Sequence, residues 1–256
     1  MQQMFRYMSL ACFTLLLVSL ISCRKLADLL HKDPLMVKKG CNITKIIHDD
    51  EQLGVIRTHL FSYNAHGNPV SVINDNSYEG APQLYFRYND QHQLSDYIAL
   101  DEENSSLCVF WYRYVYNAAQ RVIRDTQWVF GTFADEPDYN SMFIHVRTYS
   151  YDALGRISSK TRTQIHPVLE APVVTTYTYD ASGNLIVPGA VYDNSLNFRR
   201  TNKVWMFIDA NYSLNNSPGA VTYSANDLPL QFNTPTDFVF IGIGGLGTSS
   251  FEYQCP

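Results

Sequence analysis

One short phrase recurs along the chain and constrains its fold more than any other feature. It reads aromatic, any residue, aromatic, Asn or Asp, two or three turn-forming residues, and then an aliphatic run. Most spacings between successive copies lie near 28 residues, which is room for two strands and two connections. The clear copies are Phe61–Asn68, Phe86–Leu94, Tyr114–Val122, Tyr149–Ile157 and Tyr177–Leu185, and the weaker ones are Ile208–Leu214 and Val221–Pro229.

Each part of the phrase has a mechanical reason to form a β-hairpin. Residues two apart on a strand share a face, so the paired aromatic rings can stack against those of a neighbouring strand. Asn or Asp caps a turn through its own side chain, and Gly67, Gly155 and Gly183 supply the positive φ that a tight turn requires. Copies without glycine use residues 90–92 and 118–120 instead. These copies are predicted to form other turn types.

Between the copies the residues remain typical of strands, rich in Tyr, Thr and Val. The helix signal is confined to Leu26, Leu29 and Leu30, which predict one short amphipathic turn, with a disordered linker as the alternative. We therefore predict an all-β fold: an antiparallel meander of about a dozen or more strands in one large twisted or partly closed sheet. A β-propeller or a sandwich is the alternative, although propeller blades recur at about 40–50 residues.

The N-terminus reads as an export signal. Arg6 precedes Met8–Ile21, an uncharged stretch of the length found in signal peptides, whereas a membrane-spanning helix needs about 20 apolar residues. The stretch ends in Leu20-Ile21-Ser22-Cys23, which resembles the lipobox of bacterial lipoproteins. The resemblance implies a lipid on Cys23 as the first mature residue; an ordinary secretory signal is the alternative. The predicted organisation is a signal peptide over 1–22, a lipid-anchored tether over 23–40 and one β domain over 41–256.

The predicted location is the cell envelope. Arg24 follows Cys23 where an Asp would signal retention at the inner membrane, which favours the outer membrane of a Gram-negative bacterium. A lipidated terminus attaches a protein to the membrane without a transmembrane helix. The net charge is −5, and no basic run is longer than two residues, so nucleic acid is not an expected partner.

The cysteines that remain after Cys12 and Cys23 are Cys41, Cys108 and Cys255. Cys41 opens the first strand-like run and Cys255 closes the last, so a disulfide between them is one hypothesis for an oxidising compartment. The other hypothesis is that all three cysteines carry free thiols, because sequence does not fix disulfide connectivity. Cys108 lies in an apolar run and is expected in the core.

The candidate binding and catalytic motifs of this chain each depart from the pattern that their function requires. Gly242–Gly247 matches G-x-G-x-x-G, but a strand-like segment follows it where a phosphate-binding loop requires a helix. The histidines lack metal-binding spacing, and the acidic patches at 49–51, 101–104 and 135–138 lack the EF-hand order. We therefore expect no metal, no cofactor and no catalytic residue.

Two copies of the phrase match a known repeat. Tyr151-Asp152-Ala-Leu-Gly155-Arg-Ile and Tyr179-Asp180-Ala-Ser-Gly183-Asn-Leu resemble the tyrosine-aspartate (YD) repeat of Rhs- and teneurin-type proteins. In that family the repeats form strips of antiparallel hairpins that can enclose another polypeptide, for which this chain is too short. The chain more closely resembles small bacterial YD-repeat lipoproteins. The repeat residues expected to be structural are Tyr63, Tyr88, Tyr116, Tyr151, Asp152, Gly155, Tyr179, Asp180, Gly183 and Tyr223.

Two functional hypotheses follow from these features. The predicted one is a non-enzymatic envelope lipoprotein, an interaction or structural module that presents an aromatic β-sheet to a protein or glycan partner. The alternative is a glycan-processing or other hydrolase that uses carboxylates from the loops. A cleft with two carboxyl groups about 5–10 Å apart would favour the hydrolase.

Overall fold

The structure is a computed structural model that describes residues 35, 37, 38, 40–51, 54–74, 82–168, 170–217, 219–233 and 247–255. The predicted signal peptide, Cys23, most of the tether with its amphipathic turn, and Gly242–Gly245 lie outside these residues. Within the described residues, no helix has the length and apolar character needed to cross a membrane.

The described residues form 13 strands in a single sheet, in the order β10-β9-β8-β7-β6-β5-β4-β3-β2-β1-β13-β12-β11. The pairings between neighbouring strands are antiparallel, and β10 and β11 stand at the two edges, so the sheet is not closed. The predicted all-β antiparallel meander is confirmed. The strands are β1 (Asn42–Asp50), β2 (Val55–Tyr63), β3 (Pro69–Asn74), β4 (Gln83–Tyr88), β5 (Leu94–Leu100), β6 (Leu107–Tyr116), β7 (Val122–Thr132), β8 (Phe143–Tyr151), β9 (Ile157–His166), β10 (Val173–Thr176), β11 (Ala220–Tyr223), β12 (Pro229–Phe232) and β13 (Gly247–Gln254).

The last strand pairs with the first. Asn42 of β1 stands opposite Gln254 of β13, and a disulfide joins the flanking Cys41 and Cys255, whose Cα atoms are 4.1 Å apart. Cys108 carries a free, buried thiol. The two termini of the domain are therefore tied at one point of the sheet.

The hairpin turns share one geometry. The N–H of the first turn residue bonds to the carbonyl of the residue four positions on, and its own carbonyl accepts from the N–H three positions on. The fourth turn residue has positive φ, whether it is glycine, His92 (59°) or Gln120 (61°). The prediction of other turn types for the glycine-free copies is therefore wrong. The first residues of these turns are Asn64, Asn89, Asn117, Asp152, Asp180 and Ser224.

The first residue of each turn sets this geometry through its side chain. In one copy the Oδ1 atom of Asp152 accepts from the N–H groups of Leu154 and Arg156, both at 2.9 Å. Ser224 does the same through its hydroxyl, with Asn226 and Leu228 at 3.2 Å. These bonds favour a left-handed fourth residue, and an L-residue adopts that conformation at a cost of about 1–2 kcal/mol.

A short helical segment packs on the inner face of the sheet. It comprises a 3-10 helix, Phe198–Thr201, and the helix α1, Lys203–Ile208. The ring of Trp205 lies 5.7 Å from that of Phe61 on β2, and Phe207 lies 5.5 Å from Tyr149 on β8. The strands from β2 to β8 would span about 29 Å if flat, whereas a helix of six residues is about 9 Å long. The sheet therefore curves around the helix.

The helical segment corrects two predictions. The weak copy at Ile208–Leu214 is not a hairpin, because it follows a helix whose Trp205 and Met206 are fully buried against the sheet. The first aromatic residues of the repeat are likewise core: Phe61, Phe86 and Tyr114 are buried in the same cluster as Trp205. The predicted presentation of an aromatic sheet face to a partner does not hold for these residues, because the chain covers that face itself.

Candidate ligand-binding cavity

A cavity of about 690 Å³ lies where the hairpin turns meet the helical segment. We call it the turn-end cavity. One side is formed by turn residues such as His92 and Gly155, another by residues of the helical segment such as Asn202 and Phe207, and a third by Leu35, Val37, Lys38 and Gly40. Its floor contains Tyr88, Tyr116 and Tyr151. Its volume falls in the range of about 300–1,000 Å³ that is typical of small-molecule sites.

The charged side chains that line the turn-end cavity are basic. They are Lys38, Arg121 and Lys203, and the described lining residues include neither Asp nor Glu, in a chain of net charge −5. The Lys38 ammonium donates to the carbonyl of Asn226 at 2.6 Å, whereas Arg121 and Lys203 are exposed. The guanidinium carbon of Arg121 also lies 5.6 Å from the centre of the Tyr151 ring. A cavity lined in this way favours a ligand with negative charge.

Amide side chains hold the rim of the cavity together. The Asn202 side chain donates to the carbonyl of Gly67 at 2.9 Å and accepts the N–H of Val204, so it both joins a hairpin turn to the helix and caps the helix. Gln93 donates to Gln120, which links two adjacent turns. The turns at the rim are thus fixed to one another and to the helix by side-chain bonds.

The floor tyrosines carry no reactive phenol. Burial raises the pKa of Tyr151 to about 12 and raises those of Tyr88 and Tyr116 as well. Their hydroxyls donate to backbone carbonyls, for example from Tyr116 to Leu94 at 2.8 Å. These residues therefore offer the cavity neutral ring surfaces.

The other repeat residues lie elsewhere and support the fold. Tyr63 donates to the carbonyl of Ile43 at 2.8 Å, and the ring of Tyr179 stacks under the guanidinium of Arg156 at 3.9 Å. Tyr223 donates to Asp193 at 2.6 Å. Asp180, like Asp152, caps its turn, and Gly183 takes the positive-φ position of that turn.

Sequence reasoning missed the residues that the helical segment brings to the cavity. Asn202 followed by Lys-Val-Trp-Met-Phe-Ile has the form of a helix start, a capping residue before an apolar run. That signal is short and lies between segments rich in turn residues, so it did not stand out. Lys38 and Arg121 have no local signal, because only the folded chain places them beside the helix.

Other candidate chemistry is not supported by the described residues. They contain no cluster of three or more His, Cys, Asp or Glu that could hold a metal ion. The Cys108 thiol is buried, and burial raises its pKa to about 11. A thiol with so high a pKa is a poor nucleophile at neutral pH.

No protein-family model matches the chain, and no curated protein matches it. Among solved structures, the chain is similar to part of the crystal structure of TcdB2-TccC3-Cdc42, with 13% identity over 73% of this chain and a TM-score of 0.31. It spans 10% of the length of that chain. It is also similar to a porin-like protein from Bacteroides uniformis ATCC 8492, with 11% identity, a TM-score of 0.36, and coverage of 84% of this chain and 98% of that one. At these values, the likenesses establish neither family nor function.

Proposed function

We propose that this chain is a non-enzymatic binding lipoprotein of the cell envelope and that the turn-end cavity is its ligand site. The observation that carries the proposal is the lining of that cavity, in which the charged groups are basic and the floor is formed by neutral tyrosines. The ligand class that suits this lining is an acidic oligosaccharide.

Size and chemistry both support such a ligand. A cavity of about 690 Å³ accommodates a few sugar rings rather than a protein surface. Aromatic side chains pack against the apolar faces of sugar rings. The amide of Asn68 stands among the lining residues as a hydrogen-bonding group, and those of Gln93 and Asn202 hold the rim in place. The exposed Arg121 and Lys203 would pair with carboxylate or sulfate groups of the sugar.

The proposed anchor would hold this cavity close to the membrane. Leu35, Val37, Lys38 and Gly40 line the cavity, and they follow the proposed lipid site at Cys23. The 12 steps from Cys23 to Leu35 span at most about 40 Å. A protein attached through Cys23 to the outer membrane would therefore keep its cavity within reach of envelope glycans.

The relation to YD-repeat proteins is part of this proposal. The repeated turn, with an Asn, Asp or Ser cap and a left-handed fourth residue, recurs with the same hydrogen bonds in six places. The hydrolase alternative needs two carboxylates facing one cavity. Since the described lining of the turn-end cavity contributes none, no observation favours that alternative.

Calorimetric titration with oligogalacturonate and with maltohexaose tests the binding role. We expect the mature protein to bind the acidic oligosaccharide and to prefer it to the neutral one. Arg121→Ala and Lys203→Ala should each weaken the binding, while Lys45→Ala, a basic residue of β1 outside the cavity, should not. Equal affinity for both sugars, or equal effects of Lys45→Ala and Lys203→Ala, would refute the assignment.

Intact-mass spectrometry of the membrane-extracted protein tests the anchor separately. We expect a mature N-terminus at Cys23 with acyl mass, and loss of that mass in Cys23→Ala. An unacylated chain in the soluble fraction would remove the envelope location and leave the cavity assignment to the titration.

A further inference from the structure

We propose that a second, smaller cavity on the inner face of the sheet binds a single oxyanion, a carboxylate or phosphate group, through Lys160 and Arg147. This inner cavity has a volume of about 130 Å³. It lies between the strands that carry Tyr112, Arg147 and Lys160 and the end of α1. Phe207 lines both this cavity and the turn-end cavity and stands between them.

Arg147 is paired with a buried carboxylate. Its Nε atom donates to both carboxylate oxygens of Asp125, at 2.9 and 3.2 Å, and the Tyr149 hydroxyl donates to the same carboxylate. Asp125 is fully buried. One carboxylate thus balances one guanidinium, and neither can move to neutralise another group without leaving a buried charge alone.

The ammonium of Lys160 is a second cation, which this pair does not balance. Lys160 on β9 lines the same cavity. Its ammonium lies 6.0 Å from the centre of the Tyr177 ring, and within the described residues it has no carboxylate in ion-pair distance. The other acids and bases nearby are committed elsewhere. Asp209 pairs with Arg199, and Arg162 lies 3.5 Å from Glu170.

The surroundings of the Lys160 ammonium disfavour its positive charge. Burial, followed by the positive charges of Arg147 and Arg162, lowers the pKa of Lys160, and the negative charges of Asp125 and Asp209 act in the opposite sense without reversing the shift. A positively charged group kept in such surroundings gains from an anion placed beside it, because the anion offsets both the desolvation and the repulsion from Arg147. The cavity therefore has an excess positive charge and a structural reason to take up a negative one.

Neutral hydroxyl groups also face the inner cavity. Tyr112 and Tyr114 also line the cavity, and burial raises the pKa of both, so their hydroxyls remain protonated. The guanidinium of Arg147 lies 4.1 Å from the centre of the Tyr112 ring and donates to the Tyr112 hydroxyl, which keeps its own proton to donate. Phenol O–H groups beside an ammonium and a guanidinium form a set of donors suited to oxygen anions. The volume of about 130 Å³ accommodates one such group and not an oligosaccharide.

The test follows the acylation of individual lysines in the mature full-length protein by peptide mapping. The probes are sodium acetate and inorganic phosphate, each compared with sodium chloride at equal ionic strength. We expect acetate or phosphate to slow acylation of Lys160 severalfold and to leave Lys45, a partly exposed lysine on β1 that pairs with Glu252, unchanged. Protection by acetate alone would identify a carboxylate as the ligand group, and protection by phosphate alone would identify a phosphate.

A second measurement separates binding from general salt effects. The anion that protects Lys160 should raise the melting temperature of the wild type and of Lys45→Met but not that of Lys160→Met. If Lys160→Met does not fold, the labelling of the wild type still decides the question. Acylation of Lys160 at the same rate in acetate, phosphate and chloride would overturn the proposal. Since the inner cavity is separate from the turn-end cavity, this outcome would not bear on the oligosaccharide titration.

Discussion

The hydroxyl of Tyr116 donates a hydrogen bond of 2.8 Å to the backbone carbonyl of Leu94, and this bond crosses between two hairpins that no turn joins at that end. Tyr88 bonds to Pro69 and Tyr151 to Val122 in the same way. Tyr253 bonds to Pro229, so the segment Phe251-Glu-Tyr253 is a further copy of the phrase, which sequence analysis missed because no capping residue follows it. In these copies the second aromatic residue is a tyrosine whose hydroxyl ties its hairpin to the one before it, whereas Tyr179 and Tyr223 do not make this bond.

Tyr116→Phe should therefore destabilise the protein without changing its fold. The ring still packs, but a half-buried carbonyl loses its donor, which costs about 1–2 kcal/mol. Urea unfolding followed by fluorescence measures the change. Tyr85→Phe is the matched control, since Tyr85 is 37% exposed and should change the free energy of unfolding little. A Tyr116 variant as stable as this control would contradict the role assigned to the hydroxyl.

The turns predict opposite effects for two substitutions at equivalent positions. Asp227, the fourth residue of the turn that begins at Ser224, has a φ of 63°, so Asp227→Gly should raise the free energy of unfolding by about 0.5–1 kcal/mol. Gly67 has a φ of 75° with open space around the position of a Cβ. Gly67→Ala should therefore lower stability by about 1 kcal/mol through backbone strain alone. Paired urea titrations check both, and changes of the same sign would contradict a shared turn geometry.

The disulfide should make stability depend on redox state. Cys41 and Cys255 are 214 residues apart in sequence, so the bond closes a very long loop in the unfolded chain. Reduction, or the double variant Cys41→Ser/Cys255→Ser, should cost about 2–5 kcal/mol. Thermal melts with and without reductant measure this cost. The double variant should melt at the same temperature in both conditions, and a wild type that is insensitive to reductant would disprove the contribution.

His48 should make the protein less stable in mild acid. Burial lowers its pKa from 6.5, while Asp50 acts in the opposite sense and Arg57 in the same sense. The unfolded chain therefore binds a proton below about pH 6.5 that the folded chain takes up only at lower pH. The stability that neutral His48 contributes is fully present above about pH 6.5. It is lost as the pH falls from about 6.5 to the lower pKa of the folded state, by at most about 1.4 kcal/mol per pH unit.

The check for His48 is urea unfolding at about pH 7.5 and about pH 5.5. His48→Gln can retain the bond to Ser249, which lies 2.9 Å from Nδ1 of the histidine, and it should show a smaller loss between the two pH values. Burial also lowers the pKa of His145. We therefore expect His145 to account for the pH dependence of the free energy of unfolding that remains in the variant. Equal slopes in wild type and variant would rule out His48 as a contributor.

The prediction from sequence succeeded where structure depends on neighbours along the chain. Alternating aromatics and a capping residue such as Asp152 specify a hairpin within about ten residues, so the strands and most turns could be located. It failed at His92 and Gln120, where capping bonds impose a left-handed residue that the residue type does not suggest. The cavity residues could be predicted least, since Lys38, Arg121 and Lys203 meet only through the curvature of the sheet.

By itself, the sequence determined that this chain forms antiparallel hairpins tied by repeated turns, because those interactions join residues close together in the chain. Only the tertiary structure decided that the sheet curves around Trp205 and Phe207 and so buries the aromatic face that the repeat creates. It likewise decided that Lys160 stands beside a balanced Asp125–Arg147 pair. These contacts join strands far apart in sequence, and their energies depend on burial and on charge balance, which no local pattern encodes.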